Sequence, residues 1–308
     1  MRKITFIVNP NSGTIKEKTG LIERLEEICK KESKGLFEVQ TYFTEGPSHA
    51  TKLAQQAVLE KVDLCIAVGG DGTMHETALG LIGSETSLGI IPIGSGNGLA
   101  RHIGLSMNPE IALSQLLKGI SEWMDVGKID GQYFFLAAGI GFEGTVTKLF
   151  SQQKNRGFLQ YLLSASKAFW GFNPLNIMLN GNETRIFTLT FANGSQYGNN
   201  AMIAPGASIF DGFLNVTQIL PFPFYKSLEL VYRLLNEKLR ANRYCKMSVH
   251  TKLEINLQNE TAGHVDGEPI VLQKNFTVEI VSEKLKVRLP RVDLTENPSI
   301  ISGKLDFS

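Results

Sequence analysis

Three turns rich in glycine and small polar residues follow apolar runs, and the middle turn carries an acid. Its sequence is Gly69-Gly70-Asp71-Gly72-Thr73. Glycines let a ligand approach the main chain closely, and a helix predicted to begin near Thr73 would point its N–H groups and positive dipole end at the turn. The pattern predicts a phosphate site in which Asp71 holds a magnesium ion. The alternative is a tight strand-to-helix turn with Asp71 as a cap.

The elements around these turns predict that they lie at one edge of a sheet. Strand, loop and helix recur three times, beginning with the apolar runs 4–8, 37–43 and 64–68, and this repetition is typical of a parallel sheet with right-handed crossovers. The carboxyl ends of parallel strands share an edge, so residues 9–13, Thr44 and the middle turn should meet there. A fourth strand, 88–91, adds the turn 92–98. No Walker-type Gly-x-x-x-x-Gly-Lys-Ser/Thr occurs, and no Gly-x-Gly-x-x-Gly opens the first crossover.

Two carboxylates late in the chain flank a glycine and suit general base chemistry. They occur in the sequence His264-Val265-Asp266-Gly267-Glu268-Pro269. Such a pair can take a proton from an attacking hydroxyl and orient that hydroxyl or a metal. The alternative is a hairpin turn with solvated acids. The glycines in residues 139–144 predict a structural turn, and Asp211-Gly212 is a turn signal.

Composition places the chain among ordinary globular proteins. It has 308 residues, 43% hydrophobic and 20% charged, which favours two domains, or one large domain with a long insertion, and argues against disorder in the interior. The net charge of +1 gives no general attraction to nucleic acid or to an anionic membrane, and it leaves a local basic patch open. Three widely spaced cysteines argue against a disulfide framework or a zinc site and predict a reducing, cytoplasmic compartment. No apolar stretch reaches about 18 residues, so any membrane contact is expected to be peripheral.

The second half of the chain changes to runs that alternate every second residue. These runs, 186–191, 253–257, 276–280 and 285–289, predict an antiparallel β-sandwich. The predicted domains are therefore an α/β nucleotide-binding domain over residues 1–125 and a sandwich over residues 126–289, with a polar tail, 290–308, that is free or packs back on the first domain. Two apolar segments, 158–170 and 220–235, belong either to the core or to a cleft or membrane-facing surface for an acyl chain.

Four motifs in this order resemble the diacylglycerol kinase catalytic-domain family, which also includes sphingosine, ceramide and bacterial lipid kinases. The motifs are Val8-Asn9-Pro10-Asn11-Ser12-Gly13, Gly69-Gly70-Asp71-Gly72-Thr73-Met74-His75-Glu76, Pro92-Ile93-Gly94-Ser95-Gly96-Asn97 and Asp266-Gly267-Glu268. The resemblance covers residues 1–290. It implies a nucleotide-binding domain followed by a β-sandwich, NAD kinase/diacylglycerol kinase-like, with ATP in the cleft between them.

The resemblance also implies roles for individual residues. The expected ATP contacts are Asn9, Pro10, Asn11, Ser12, Gly13, Thr44, Gly69, Gly70, Asp71, Gly72, Thr73, Met74, His75, Glu76, Ser95 and Asn97. Glu268, with Asp266, would serve the substrate hydroxyl, and Glu268 is the first choice of base. Asp211 matches the acid of a metal site in some bacterial members, to which Ser208 and Phe213 would add main-chain oxygens.

Two positions depart from the family pattern, and they leave the substrate open. His75 stands where asparagine is usual, and Gly98 stands where many bacterial diacylglycerol kinases have aspartate. The expected activity is transfer of the γ-phosphate of ATP, with Mg²⁺, to a lipid alcohol such as diacylglycerol at a membrane surface. The alternatives are a sphingoid-base or ceramide kinase, an NAD kinase, and a non-catalytic lipid-binding regulator. A homodimer is also left open.

Overall fold

The computed structural model describes residues 2–13, 18–33, 36–153, 158–199 and 201–291. It divides into two compact units. The first comprises the chain up to Met124 together with the segment that begins at Glu283, and the second is Asp125–Ser282. Among the described helices, none has both the length and the hydropathy needed to cross a bilayer.

The helices and strands follow one another in a simple order. The chain up to Met124 forms β1 (Arg2–Val8), α1 (Lys18–Ser33), β2 (Phe37–Phe43), α2 (His49–Leu59), β3 (Leu64–Gly69), α3 (Asp71–Leu81), β4 (Ser87–Pro92), α4 (Gly98–His102), α5 (Pro109–Lys118) and β5 (Ile120–Met124). The second unit forms β6 (Gly127–Ile129), β7 (Gln132–Phe134), β8 (Ala137–Gly141), α6 (Phe142–Ser151), α7 (Phe158–Gly171), β9 (Leu175–Leu179), β10 (Asn182–Ile186), β11 (Thr188–Ala192), β12 (Leu214–Ile219), α8 (Ser227–Leu235), β13 (Cys245–His250), β14 (Lys252–Leu257), β15 (Thr261–Val265), β16 (Glu268–Leu272) and β17 (Asn275–Ile280), with 3-10 turns at Phe224–Lys226 and Leu239–Ala241. The last strand is β18 (Leu285–Leu289).

The first unit is organised around a six-stranded sheet in the order β2-β1-β3-β4-β18-β5. The pairs from β2 to β18 are parallel, and only β5 runs antiparallel to its neighbour. Every residue of β3 is buried, as expected of a parallel strand covered on both faces. The predicted parallel α/β domain is therefore confirmed.

The last strand corrects one part of the sequence analysis. The alternating run 285–289 was assigned to the sandwich, but β18 lies between β4 and β5 in the first sheet. Alternation identifies a strand without identifying its sheet, because the pattern depends only on which side chains are buried. The prediction that residues 126–289 form one domain is wrong at its end, since the second unit stops at Ser282. Of the predicted tail, residues 292–308 lie outside the described residues.

The second unit is a sandwich of two antiparallel six-stranded sheets. Their orders are β10-β9-β14-β17-β6-β7 and β13-β12-β11-β8-β15-β16. One cluster of buried side chains joins the inner faces, drawing Ile255 and Val278 from the first of these sheets and Leu189 and Val216 from the second. The predicted sandwich is confirmed, and its core comes from the predicted alternation.

The two apolar segments of the second unit prove to be partly buried and partly exposed. In α7, Ser164 and Ala168 are buried, whereas Leu163 and Trp170 are exposed. The ring of Phe169 packs against those of Phe142, Phe187, Phe222 and Phe224 at centroid distances of 5.1 to 6.0 Å. Packing therefore accounts for one face of this segment and leaves the other to solvent.

Candidate active site

An asparagine of the first turn, Asn9, ties that turn to the second. The Asn9 side chain donates to Thr73 Oγ1 at 3.1 Å and accepts from the Asn11 backbone N–H at 2.9 Å. Its own backbone N–H donates to the Val68 carbonyl at 3.1 Å. Asn9 thus fixes both the shape of its own turn and its distance from the start of α3.

Close backbone approach brings all three turns together. Ser12 Oγ accepts from the Gly70 N–H at 3.0 Å. A Cβ on Gly13, which has φ +69°, would lie 1.8 Å from the Ile93 carbonyl oxygen, and a Cβ on Gly94 would lie 2.5 Å from the Gly70 Cα. The glycines are required because larger residues would separate the turns. The expected gathering of the turns at one sheet edge is what the structure has.

Asp71 joins the second turn to the third. Its Oδ1 accepts from the Gly98 N–H at 2.7 Å and its Oδ2 from the Asn97 N–H at 2.9 Å, so the carboxylate caps the start of α4. Helix α3 begins at Asp71 itself, two residues before the predicted start at Thr73, and its N-cap residue is Gly70, which has no side chain with which to cap it. The alternative role of Asp71 as a cap is therefore correct in a modified form, because the helix it caps is the next one. Its proposed contact with magnesium stays a prediction.

Other predicted nucleotide contacts serve mainly to position the turns. The Glu76 carboxylate accepts from the Ser48 N–H at 2.9 Å and the Ala50 N–H at 3.3 Å, which places it at the start of α2. The Met74 and His75 side chains are buried in the first unit. Thr44 donates its backbone N–H to the Val8 carbonyl at 2.8 Å. Among the predicted ATP contacts, the residues exposed to solvent are Pro10, Asn11, Gly13 and Ser95.

In the second unit, Asp266 has a structural role that sequence reasoning missed. Asp266 and Gly267, with φ +47° and +85°, form the two-residue hairpin loop between β15 and β16, as expected of an Asp-Gly turn. The Asp266 carboxylate is not solvated: it accepts from the N–H groups of Phe135, Leu136 and Ala137 at 2.8, 2.8 and 3.0 Å. These partners lie about 130 residues earlier, so no local signal announces them.

Glu268 is the acid that the hairpin leaves available. It opens β16 directly after the turn and pairs with Val265 across the hairpin. The side chain is half-buried, and no hydrogen bond or ion pair reaches its carboxylate from any residue that the structure describes. A carboxylate held by its backbone but unengaged at its oxygens fits a general base.

A buried polar cluster lies beside this hairpin, and the sequence analysis did not identify it. The Glu143 carboxylate lies 3.1 Å from Thr190 Oγ1, accepts from the Tyr197 hydroxyl, and is 3.4 Å from His264 Nε2. His264 Nδ1 in turn accepts from the Gly267 N–H at 3.4 Å. The predicted turn at 139–144 is confirmed as the junction of β8 and α6. The one signal for the cluster was the pair of threonines in the otherwise apolar β11.

The predicted metal position around Asp211 gains a second carboxylate. Asp125 is fully buried and accepts from the Gly212 N–H at 2.7 Å. Desolvation and the nearby Asp125 charge raise the pKa of Asp211, against a hydrogen bond from the Phe213 N–H that lowers it. Ser208 Oγ accepts from a backbone N–H two residues on. Two neighbouring carboxylates and local carbonyl oxygens are a donor set that suits a hard cation.

A buried asparagine holds Asp125 in place. Asn193 is fully buried, and its Nδ2 donates to the carbonyl oxygens of Asp125 and Phe135, both at 2.8 Å. Its Oδ1 accepts no hydrogen bond from the part of the chain that the structure describes. Neither Asp125 nor Asn193 was singled out, because each stands in an unremarkable local sequence.

Comparisons with family models find two domains that meet near the boundary at Met124, although the second match extends into β18 of the first sheet. Residues 3–129 match the diacylglycerol kinase catalytic domain, and residues 137–288 match the YegS C-terminal NAD kinase beta sandwich-like domain. Two relatives are named diacylglycerol kinase. The protein from Bacillus subtilis (strain 168) is 28% identical over 307 residues, covering 92% of this chain and 98% of the relative. The protein from Mycobacterium tuberculosis (strain CDC 1551 / Oshkosh) is 31% identical over 231 residues, covering 70% and 72%.

Solved structures share the fold across nearly the whole chain. A diacylglycerol kinase from Bacillus anthracis str. Sterne superimposes with a TM-score of 0.70 at 22% identity, covering 97% of this chain and 98% of that one. An NAD kinase from Archaeoglobus fulgidus in complex with ATP does so with a TM-score of 0.52 at 14% identity, covering 97% and 99%. With the two matched domains in the order of the two units, the chain belongs to the diacylglycerol kinase catalytic-domain family.

Proposed function

We propose that the protein is an ATP-dependent lipid kinase that transfers the γ-phosphate of ATP to a lipid hydroxyl, with diacylglycerol as the first candidate. The observation that carries the proposal is the meeting of three glycine turns at the start of α3. The two relatives named diacylglycerol kinase support it.

The turns supply what a nucleotide phosphate needs. Backbone N–H groups at a helix start attract anions, and residues without side chains let phosphate oxygens reach the main chain. Phosphoryl transfer passes through a loose transition state, so most of the catalysis comes from holding the phosphates and neutralising their charge. The residues assigned to ATP are those of the three turns with Thr44, and Glu76 holds α2 and α3 in register beside them.

The carboxylates that could hold magnesium stand singly or in pairs among the described residues. No group of three or more His, Cys, Asp or Glu side chains gathers anywhere in the described part of the chain. Magnesium commonly takes only one or two carboxylates and completes its shell with phosphate oxygens and water. The Asp71 carboxylate accepts from the N–H groups of Asn97 and Gly98 where the second and third turns meet, so Asp71 would hold the ion with the phosphates. Asp211, with Asp125 nearby and the carbonyls of Ser208 and Phe213, would hold a second ion. Bound magnesium supplies positive charge.

Glu268 is assigned as the base. It would take the proton from the lipid hydroxyl as that oxygen bonds to the γ-phosphorus, while the bond from the γ-phosphorus to the β–γ bridging oxygen breaks and ADP leaves. Asp266 fixes the hairpin that carries Glu268, and Glu143 and His264 support the same hairpin through Gly267. A positioned base contributes roughly 10²–10⁴-fold.

Transfer of labelled γ-phosphate by the pure protein to diacylglycerol, sphingosine, ceramide, phosphatidylglycerol and NAD tests the proposal. Label in diacylglycerol, lost in Glu268→Gln, is the expected result. Label in sphingosine or ceramide alone would change the substrate, label in NAD would make the protein an NAD kinase, and ATP binding without transfer to any acceptor would leave a non-catalytic regulator.

Asp71 has a separate test by calorimetry. Asp71→Asn is expected to weaken magnesium-dependent ATP binding. Its matched control is Asp63→Asn, because the Asp63 carboxylate also accepts a backbone N–H, from Lys3 at 2.7 Å, at the opposite end of β3. Equal ATP binding by both variants would remove Asp71 from the nucleotide site.

The same proposal places the protein in the cytoplasm with peripheral attachment to a membrane. A diacylglycerol or ceramide substrate lies in a bilayer, and none of the described helices can cross one, so the kinase is proposed to approach its substrate from the aqueous side. A homodimer remains an alternative that sedimentation can test.

A further inference from the structure

Helix α8 carries an apolar face that nothing in the described chain covers. Leu228, Val231, Tyr232 and Leu235 stand at helical spacing and expose 81%, 45%, 58% and 39% of their surface. The opposite face of the helix is packed, because Leu230 is buried in a cluster with Leu239 and other side chains. Helix α8 is therefore apolar on two sides. The side with Leu230 packs against the rest of the second unit, and the other side is exposed.

The exposed face continues onto neighbouring elements. In the 3-10 turn before α8, Phe224 is 52% and Tyr225 72% exposed, and Leu228 stands one helical turn after Phe224. The ring of Trp170, 74% exposed at the end of α7, lies 4.7 Å from that of Phe224. We call this surface the α7–α8 surface, and its members are Trp170, Phe224, Tyr225, Leu228, Val231, Tyr232 and Leu235.

Basic side chains accompany the apolar ones. Residues 224–243 contain five basic and two acidic residues in a chain whose net charge is only +1. One of the two acids, Glu229, is already paired with Lys226 at 2.7 Å and Arg233 at 2.9 Å. The Arg243 guanidinium lies over the Tyr244 ring at 4.7 Å. The segment therefore combines apolar area, aromatic rings and excess positive charge.

We propose that the α7–α8 surface docks on the face of an anionic phospholipid bilayer, an inference that rests on the proposed function for its biological role. Tryptophan and tyrosine favour the boundary between headgroups and acyl chains, and a helix with apolar residues on one side and cations beside them lies in that boundary. Each basic residue near an anionic surface adds attraction that falls with salt.

Charge decides against a second copy of the chain as the occupant. In a two-fold symmetric dimer the same patch faces itself, so the net positive charge of residues 224–243 in one copy would approach that of the other. Like charges placed together oppose association. An anionic lipid surface meets the same cations with opposite charge.

Tryptophan fluorescence gives a direct test, because the chain contains only Trp123 and Trp170. Trp123→Phe leaves Trp170 as the single reporter. Vesicles of phosphatidylglycerol should shift its emission to shorter wavelength, whereas phosphatidylcholine vesicles should shift it less, and high salt should reduce the difference. An emission spectrum unchanged by either vesicle would overturn the proposal.

Sedimentation with vesicles tests the apolar contact with a matched pair of variants. Leu228→Asp changes a side chain that is 81% exposed in α8, and Leu59→Asp changes one that is 83% exposed in α2. Removing one leucine that the bilayer would bury on docking should weaken partitioning about tenfold or more. Leu228→Asp should therefore sediment with vesicles far less than the parent, and Leu59→Asp as much as the parent. Circular dichroism checks that both variants fold. Equal sedimentation of the two variants would refute the docking surface.

Two further outcomes separate this inference from the proposed function. Vesicles are sedimented without ATP, so binding through the α7–α8 surface by a protein that phosphorylates no lipid would uphold the surface and refute the kinase. Phosphorylation of a soluble short-chain diacylglycerol by a protein that binds no vesicle would do the reverse. A dimer that forms without lipid and is lost in Leu228→Asp, with no vesicle binding, would assign the surface to a second copy and overturn the proposal.

Discussion

Replacing Asp266 by asparagine should damage folding, whereas replacing Glu268 by glutamine should damage only catalysis. The two acids are separated by one residue, yet their surroundings differ. Asp266 accepts three backbone hydrogen bonds from residues 135–137, which lead into β8, while the Glu268 carboxylate has no partner within the described ranges. The pair therefore separates a structural from a chemical role.

The magnitude follows from the geometry. An asparagine amide would turn its NH₂ group towards at least one of the three N–H donors, and the remaining bonds would lose their ionic character. Hydrogen bonds to charged groups contribute roughly 1.5–3 kcal/mol each and neutral ones about 1 kcal/mol. Asp266→Asn should therefore cost about 3 kcal/mol, which lowers the melting temperature by roughly 6–12 °C. Asparagine tolerates the left-handed backbone of the turn, so strain adds little.

A matched control lies in another hairpin of the same unit. Asp130 and Gly131 form the loop between β6 and β7 with φ +46° and +80°, and the Asp130 carboxylate accepts one exposed hydrogen bond, from the Gln273 N–H at 3.1 Å. Asp130→Asn should cost less than about 1 kcal/mol. Thermal and urea unfolding of both variants measures the difference. If Asp266→Asn were no less stable than Asp130→Asn, the structural role would be wrong.

The companion variant tests the chemistry. Glu268→Gln should change the free energy of unfolding by less than about 0.5 kcal/mol, leave ATP affinity unchanged, and lower turnover by roughly 10²–10⁴-fold. Labelled phosphate transfer measures turnover. A folded Glu268→Gln protein that keeps half of its turnover would exclude Glu268 as the base.

Three further predictions concern the turns, one histidine and the thiols. Gly94→Ala should lower the free energy of unfolding by about 1–3 kcal/mol and weaken ATP binding, because the added Cβ would lie 2.5 Å from the Gly70 Cα. The control in calorimetry is Gly46→Ala, whose added Cβ has no atom within 4 Å. Burial lowers the pKa of His102 from 6.5 to about 4, so the neutral ring stabilises the folded protein above pH 6.5. As the pH falls towards 4, the parent's free energy of unfolding should fall by up to about 3 kcal/mol on account of this group. Urea unfolding at both pH values should show that His102→Gln lacks this part of the fall. Burial raises the pKa values of the thiols of Cys29, Cys65 and Cys245 to about 11 or 12. Thiol reagents should therefore label these cysteines only in the unfolded protein.

The features that sequence predicted well are those with local causes. The run from Leu64 to Val68 is apolar at every position, so a strand buried on both faces follows from it. Turns of glycine and asparagine between such strands and helices follow from backbone sterics. Their meeting at one edge follows from parallel topology, and these three rules were enough to bring the candidate nucleotide site together.

The features that sequence did not predict depend on distant partners. Asp266 has no local signal for its bonds to residues 135–137, and Glu143 gives none for Thr190 or His264. The strand at 285–289 illustrates the same limit, because its residues alternate as well as any sandwich strand does. Which sheet accepts it depends on the open position between β4 and β5, and that position exists only in three dimensions.

The place of β18 also has a consequence for synthesis on the ribosome. The first sheet needs β18 between β4 and β5, yet this strand is translated after the whole of Asp125–Ser282. The sandwich contains its own strands and can close as soon as they emerge, whereas the first sheet has to wait with one edge of β4 open and β5 without its partner β18. A chain released at Met124 would expose two strand edges, and exposed edges promote aggregation. Vectorial folding should therefore finish with the N-terminal unit, the part of the chain that is made first.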